Sequence, residues 1–212
     1  MTSFPKKLNL GSGKDFREDF LNLDKDPTWK PDIIMDLEEP FFGADSDSPS
    51  SRRRFFETER FGRIEVQRGS FDNIIAYDVL EHIRNLATAM RTCLDLLREG
   101  GLLNILVPYD LSYGAWQDPT HVRAFNEKSW AYYTDWFWYM GWREAKFALE
   151  VLELVPSELG KRLGIERKES LMEIALFPRA VDSMKVLLKK IVLSDRDKAA
   201  FGYFHSRAKG TT

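Results

Sequence analysis

Three groups of residues in this sequence are of types that do chemistry. The stretch Trp116-Gln117-Asp118-Pro119-Thr120-His121-Val122-Arg123 sets a carboxylate three positions before an imidazole and a guanidinium two positions after it. A histidine with a carboxylate nearby can act as a general base, and an arginine can grip a polar or anionic substrate. The same residues also suit a turn capped by Asp118 and a structural hydrogen bond from His121, so both roles stand at this point. The second group is the turn Leu10-Gly11-Ser12-Gly13. Glycine lacks the Cβ that would keep a ligand away, so backbone amides can approach it closely. The third group is a pair of carboxylates, Asp24 and Asp36, each closing a short apolar run. A carboxylate at such a tip can accept hydrogen bonds from both hydroxyls of a ribose.

Of the three histidines, His82 follows Glu81 at the start of an expected helix, where capping hydrogen bonds account for it. His205 lies in the tail and takes no role. No tight ligand spacing such as H-x-x-x-H occurs, so no metal is expected.

The elements that must position these groups follow from the apolar pattern. Residues 7–10 form a short strand leading into the glycine turn, and 20–23 and 33–35 form two more, ending at Asp24 and Asp36. From 43 to about 70 the texture is polar and rich in turn formers, which predicts a mobile insertion with a short strand around 64–66. Residues 71–77 form a buried strand that leads to Asp78 and His82. Asn85 caps a helix whose apolar face is Leu86, Met90, Cys93, Leu94 and Leu97. Gly100-Gly101 is expected to end it before the apolar strand 102–107, making a βαβ unit with parallel strands. An aromatic helix begins at Asn126 or Ser129 and stops at Gly141, either packing its rings on a sheet edge or a dimer contact, or walling an apolar or sugar-binding pocket. The pattern then predicts strands at 145–155 and 171–177. An amphipathic helix follows at 181–192, with Lys185, Lys189 and Lys190 outward. The expected organisation is one domain over 1–180 and a helix and tail over 181–212.

The bulk properties exclude several classes. A chain of 212 residues with 43% hydrophobic and 30% charged residues is an ordinary folded composition. A net charge of −2 does not favour a phosphate backbone as partner. The single cysteine, Cys93, permits neither an intrachain disulfide nor a cysteine metal cluster. The N-terminus has no signal-like apolar run and no segment approaches a membrane span, so a cytoplasmic protein is expected.

Taken in order, LNLGSG, LNLD, Asp36-Leu37, FDNIIAYDVLEHI and LREGGLLNILVP resemble successive motifs of class I methyltransferases that use S-adenosyl-L-methionine (SAM), over roughly residues 6–145. The resemblance implies a Rossmann-like α/β three-layer sandwich, with a mostly parallel sheet and a C-terminal antiparallel strand. It implies SAM as cofactor, with Asn9, Leu10, Gly11, Ser12 and Gly13 beside its methionine part and Asp36-Leu37 flanking its adenine. Asp24 is preferred over Asp36 for the ribose, because LNLD and IIMDL then supply two consecutive strands. Only 11 positions separate Gly13 from Asp24, against about 20 in a dinucleotide fingerprint, so Asp36 stays as the alternative. Tyr77 and Asp78 then fall where the methyl group is presented, and His82 near the cofactor. A nicotinamide dinucleotide would require a third glycine where Phe16 stands.

Loops of the Asp-x-x-His-x-Arg type resemble those of methyltransferases of glycan and small-molecule pathways. That makes His121, Asp118 and Tyr77 the catalytic candidates, and Tyr109 and Arg123 the substrate-binding ones. The acceptor expected is a small molecule or glycan precursor. A protein or nucleic-acid acceptor, or a non-catalytic SAM-binding module, are the alternatives. The run Arg52-Arg53-Arg54 is either a solvated stretch or a lid over an anionic acceptor.

Overall fold

The structure is a computed structural model that describes residues 4–43, 52–168 and 170–209. The polar run 44–51, the centre of the expected mobile insertion, lies outside the described residues. Strands β1 (Lys7–Leu10), β2 (Leu21–Asp24), β3 (Ile33–Ile34), β6 (Phe71–Tyr77), β7 (Leu97–Pro108), β8 (Ala145–Pro156) and β9 (Val181–Val192) form one sheet, ordered β3-β2-β1-β6-β7-β9-β8. β1, β2, β3, β6 and β7 are mutually parallel, and β9 runs antiparallel to both its neighbours. This is the Rossmann-like, mostly parallel sheet that the resemblance implies, with antiparallel pairing at the C-terminal end.

Helix α1 (Leu86–Leu96) is the crossover between β6 and β7. Asn85 caps it by accepting from the Thr88 N–H at 3.3 Å, and it buries Leu86, Ala89, Met90, Cys93, Leu94 and Leu96. Each large side chain buried in this way stabilises the domain by about 1.5–3 kcal/mol. Gly100-Gly101 does not end this helix. The chain is already extended at Leu97, and the two glycines lie in an irregularity where the pairing with β6 skips from Leu97 to Leu102. A Cβ at Gly101 would stand 2.9 Å from the Arg98 carbonyl oxygen, so the site demands glycine. Along β7, Leu103, Ile105 and Val107 are buried while Asn104 and Leu106 are half-buried. One face of the sheet is therefore fully covered. The other is thinner, because the β1–β2 and β2–β3 links hold only turns and the short 3-10 turn Pro27–Trp29.

Residues 181–192 form a strand, not the expected helix. Val181, Met184, Val186 and Leu188 are buried, and the strand pairs with β7 on one side and β8 on the other. It is thus interior to the sheet rather than part of an appended helix and tail. Its Lys190 turns inward, donating from Nζ to the Leu97 carbonyl at 2.7 Å. The expected strand at 171–177 is instead the short helix α4 (Leu171–Ile174). There Ser170 and Glu173 form a reciprocal capping box that sets a helical start. The charged connection before it holds α3 (Glu158–Arg167). The chain closes with α5 (Asp195–Lys209), and among the described residues no helix is long and apolar enough to cross a membrane.

The end of the polar insertion is ordered as the hairpin β4 (Arg53–Thr58) and β5 (Gly62–Gln67), with Ile64 and Val66 fully buried in the same core as the sheet. Arg60, at its tip, makes a bidentate ion pair with the buried Asp32 at 2.6 and 2.8 Å and also donates to the carbonyls of Phe20 and Glu18. Arg54 donates to the Phe41 carbonyl at 3.2 Å and its guanidinium lies over Phe41 and Phe56. Arg53 pairs with Glu65 across the hairpin. These two arginines are structural and do not form a lid. The expected aromatic helix is two 3-10 segments, Glu127–Tyr133 and Phe137–Met140, entered through an Asn126–Ser129 capping box and left at Gly141, φ 69°. Trp130, Tyr133, Phe137 and Trp142 are buried, whereas Tyr132, Trp136 and Tyr139 remain exposed.

Candidate functional site

The carboxyl ends of β1, β2 and β6 meet at one rim, as parallel strands require. Gly11, directly after β1, has φ 59°, and a Cβ there would stand 2.5 Å from a γ-methyl of Val79. Only glycine lets these two segments touch. The turn is held to β2 by the Ser12 N–H, which donates to the Leu23 carbonyl at 3.0 Å, and by the Gly13 N–H, which donates to Asp24 Oδ2 at 2.8 Å. The other oxygen of Asp24 accepts from the Asp26 N–H at 2.8 Å. Asp36 follows β3 and accepts from the Glu38 N–H at 2.9 Å.

Between these segments lies a cleft of about 190 Å³. Its polar lining includes Asp24, Asp36, Asp78 and His82, and its apolar walls include Met35, Leu37, Val79 and Ile83. Asp24, Asp36, Leu37, Gly11, Asp78 and His82 are thus brought together from four separate segments. Leu10 and Ser12 are buried behind the turn and Gly13 faces Asp24, so none of the three lines the cleft. Asn9 is buried as well, and its amide donates to the Asp15 carbonyl at 2.7 Å and to Asn22 Oδ1 at 3.1 Å. It fastens the glycine loop from behind. Tyr77 and Asp78 diverge, because Asp78 adopts a left-handed conformation, φ 54°. Tyr77 borders a different depression with Asn104, Leu106 and Lys185, under the Arg17 guanidinium.

The loop after β7, which contains the short helix α2 (Gly114–Gln117), folds back over the segment after β6. The Val122 N–H donates to the Glu81 carbonyl at 2.9 Å, and Arg123 donates to the Arg84 carbonyl at 2.7 Å. Arg123 is therefore a strut between the loops. Tyr109 is buried, with its hydroxyl donating to Glu127 at 3.0 Å, and burial raises its pKa strongly. It too is structural. The docking sets the His121 ring edge-on to His82, ring centres 4.6 Å apart. Asp118 Oδ1 accepts from the N–H and the hydroxyl of Thr120, at 2.8 and 2.7 Å, which holds its carboxyl below the usual range. Its Oδ2 stands 4.0 Å from His121 Nε2.

Glu81 completes this cluster, and nothing in the sequence motifs assigned it a role. It is 1% exposed, and neither carboxylate oxygen has a hydrogen-bond partner among the described residues. Burial, with Asp78 and Asp118 nearby, pushes its pKa up to about 7. The signal available in the sequence was a carboxylate set in the otherwise apolar Val79-Leu80-Glu81-His82-Ile83 turn.

A family model described as a methyltransferase domain matches residues 26–147, more than half of the chain and inclusive of the whole cluster. No curated protein matches. Among solved structures, the fold is similar to that of a SAM-dependent methyltransferase from Archaeoglobus fulgidus at 14% identity. That match covers 89% of this chain and 87% of the other, with a TM-score of 0.51. A SAM-dependent methyltransferase from Methanosarcina mazei is similar at 10% identity, covering 91% and 95%, with a TM-score of 0.51. The [4+2]-cyclase SpnF matches at 12% identity over 91% and 77%, with a TM-score of 0.53. One architecture therefore carries more than one chemistry, and the acceptor must be argued from the site.

Proposed function

Because the chain belongs to the methyltransferase-domain family and takes SAM as its cofactor, we propose that it methylates a hydroxyl of a small molecule or glycan precursor. SAM supplies a methyl carbon on a sulfonium centre, which joins the acceptor oxygen as the carbon–sulfur bond breaks and the hydroxyl proton leaves. The residues present fit that cofactor. Gly11 gives a bare backbone at the cleft wall, Asp24 and Asp36 offer carboxylates for ribose hydroxyls, and Met35, Leu37 and Ile83 offer apolar faces for a purine. Asp24 is the stronger ribose candidate, since it also holds Gly13.

One observation carries the acceptor class: His82 belongs both to the cleft lining and, ring against ring, to the His121–Asp118 cluster. A hydroxyl acceptor must lose a proton, and this cluster borders the cleft that would hold SAM. The His121–Asp118 cluster is accordingly the place where the acceptor hydroxyl gives up its proton. Tyr113 and Trp116, 58% and 66% exposed, project from the same loop and offer flat apolar faces against which a sugar ring can lie. The net charge of −2 favours such an acceptor over a nucleic acid.

The test combines calorimetric titration with SAM and turnover on a panel of hydroxylated small molecules and nucleotide sugars. His121→Ala is expected to lower turnover about 100-fold or more, the usual scale for an acid–base group, while SAM affinity stays within about twofold. Unchanged turnover would remove His121 from the reaction, and no SAM binding by the wild type would overturn the assignment altogether.

A further inference from the structure

Among the described residues, Glu81 stands out as a buried carboxylate with neither oxygen partnered. A carboxylate with both oxygens buried and unpartnered is costly, and such groups are normally paired or bound to a cation. Around it stand two imidazoles and the carboxylates of Asp78 and Asp118. Glu81, His82 and His121 each offer one ligand atom, and the three atoms all lie within 4.8 Å of one another.

The hydrogen bonds of the two rings decide which nitrogens are free. His121 Nδ1 is 3.2 Å from the Ala115 carbonyl, which can only accept, so Nδ1 carries the proton and Nε2 keeps its lone pair. His82 Nδ1 is 2.9 Å from Thr120 Oγ1, whose own proton goes to Asp118. The hydroxyl therefore accepts there, and His82 Nδ1 is the donor. Both rings are thus fixed in the tautomer that presents Nε2, each by the kind of outer hydrogen bond that orients a metal-ligating histidine.

We infer that Glu81, His82 and His121 form a binding site for one divalent transition cation, of the Zn2+ or Mn2+ kind, at the edge of the SAM cleft. Two imidazole nitrogens and a carboxylate suit such ions better than Ca2+ or Mg2+, which favour all-oxygen sets. Ligand atoms on a tetrahedral ion at about 2.1 Å stand about 3.4 Å apart, so the three side chains close by about an ångström. Three protein ligands leave a position for water or for an acceptor oxygen, whose proton becomes more acidic on the ion. His121 is then a ligand, and Asp118 is the nearby carboxylate left to receive that proton. Only this last use rests on the acceptor proposed above; cation binding does not. The expectation from sequence spacing that no metal binds is thereby revised, since the ligands His82 and His121 come from separate loops.

The full chain, stripped with a chelator, is titrated with Zn2+ and Mn2+ by calorimetry and with Co2+ by visible absorption, without SAM or acceptor. One ion per chain is expected for the wild type. Glu81→Gln and His121→Ala are expected to weaken binding by more than about 100-fold. Thr120→Val, which removes the outer hydrogen bond to His82 together with the hydroxyl donation to Asp118, is expected to weaken it about 10–100-fold. His205→Ala, at the third histidine of the sequence, is expected to bind as the wild type does. Circular dichroism of the metal-free variants checks that each is folded. Absence of stoichiometric binding by the wild type would overturn the site. So would unchanged binding in the folded Glu81→Gln and Thr120→Val variants, or a loss confined to His205→Ala. SAM titration of the same samples separates failure of the cation site from failure of the methyltransferase assignment.

Discussion

Replacing Gly11 with alanine perturbs the turn in two separable ways. The residue keeps φ 59°, where an L side chain costs about 1–2 kcal/mol. Its new Cβ would lie 2.5 and 2.8 Å from the two γ-methyls of Val79, an overlap of the kind that costs about 1–3 kcal/mol in a packed site. The sum, about 2–5 kcal/mol, is a large share of the about 5–15 kcal/mol that holds a domain together. Val79→Ala removes both γ-methyls and with them the overlap, but leaves the backbone cost. The pair is therefore expected to be non-additive, the double variant being more stable than the sum of the singles by about 1–3 kcal/mol. Urea unfolding followed by circular dichroism, with equal slopes for all four proteins, measures this coupling. SAM affinity should follow the same order, falling at least about tenfold in Gly11→Ala and recovering in part in the double variant. Additivity within about 0.5 kcal/mol would refute the claim that contact with Val79 is what demands glycine.

Removing one hydrogen-bonding carboxylate from the ribose side is worth about 1.5–3 kcal/mol, so Asp24→Ala should weaken SAM binding about 10–150-fold in a calorimetric titration. Asp36→Ala should weaken it less; the reverse order would make Asp36 the ribose ligand. Asp32→Ala leaves the partly buried Arg60 without its bidentate partner and should destabilise the fold by about 2–4 kcal/mol in urea. A change below about 0.5 kcal/mol would show that Arg60 does not anchor the hairpin. Burial alone would raise the pKa of Asp197, but hydrogen bonds from Lys146 and Ser194 more than offset it and leave the carboxyl below its ordinary value. Its contribution to stability is thus complete above the unfolded value, about 3.9, and is lost as pH falls through the folded one. The gap in Tm between the wild type and Asp197→Asn should stay constant from about pH 8 to 5 and shrink below about pH 4. A gap that does not change with pH would dismiss the Lys146 pairing.

The sequence alone determined the parts whose logic is local. β1 with Gly11, the Asn85-capped α1, and the apolar run of β7 each satisfy one pattern within about a dozen residues. The order of their motifs along the chain was enough to imply the cofactor. Asp24 was legible for the same reason, as the carboxylate closing a strand next to the first.

Tertiary contact decided what local pattern leaves degenerate. Val181, Met184, Leu188 and Val192 satisfy a helical period, while Met184, Val186 and Leu188 also satisfy a period of two. Only hydrogen bonding to β7 and β8 on both edges selects the strand. Tyr109 and Arg123 have the chemistry of substrate ligands, yet Glu127 and the Arg84 carbonyl already hold them. Conversely, Glu81, His82 and His121 form no motif, because the loop after β7 must fold onto the segment after β6 before the rings meet. Spacing along a chain records neighbours in sequence, and this cluster is made of neighbours in space.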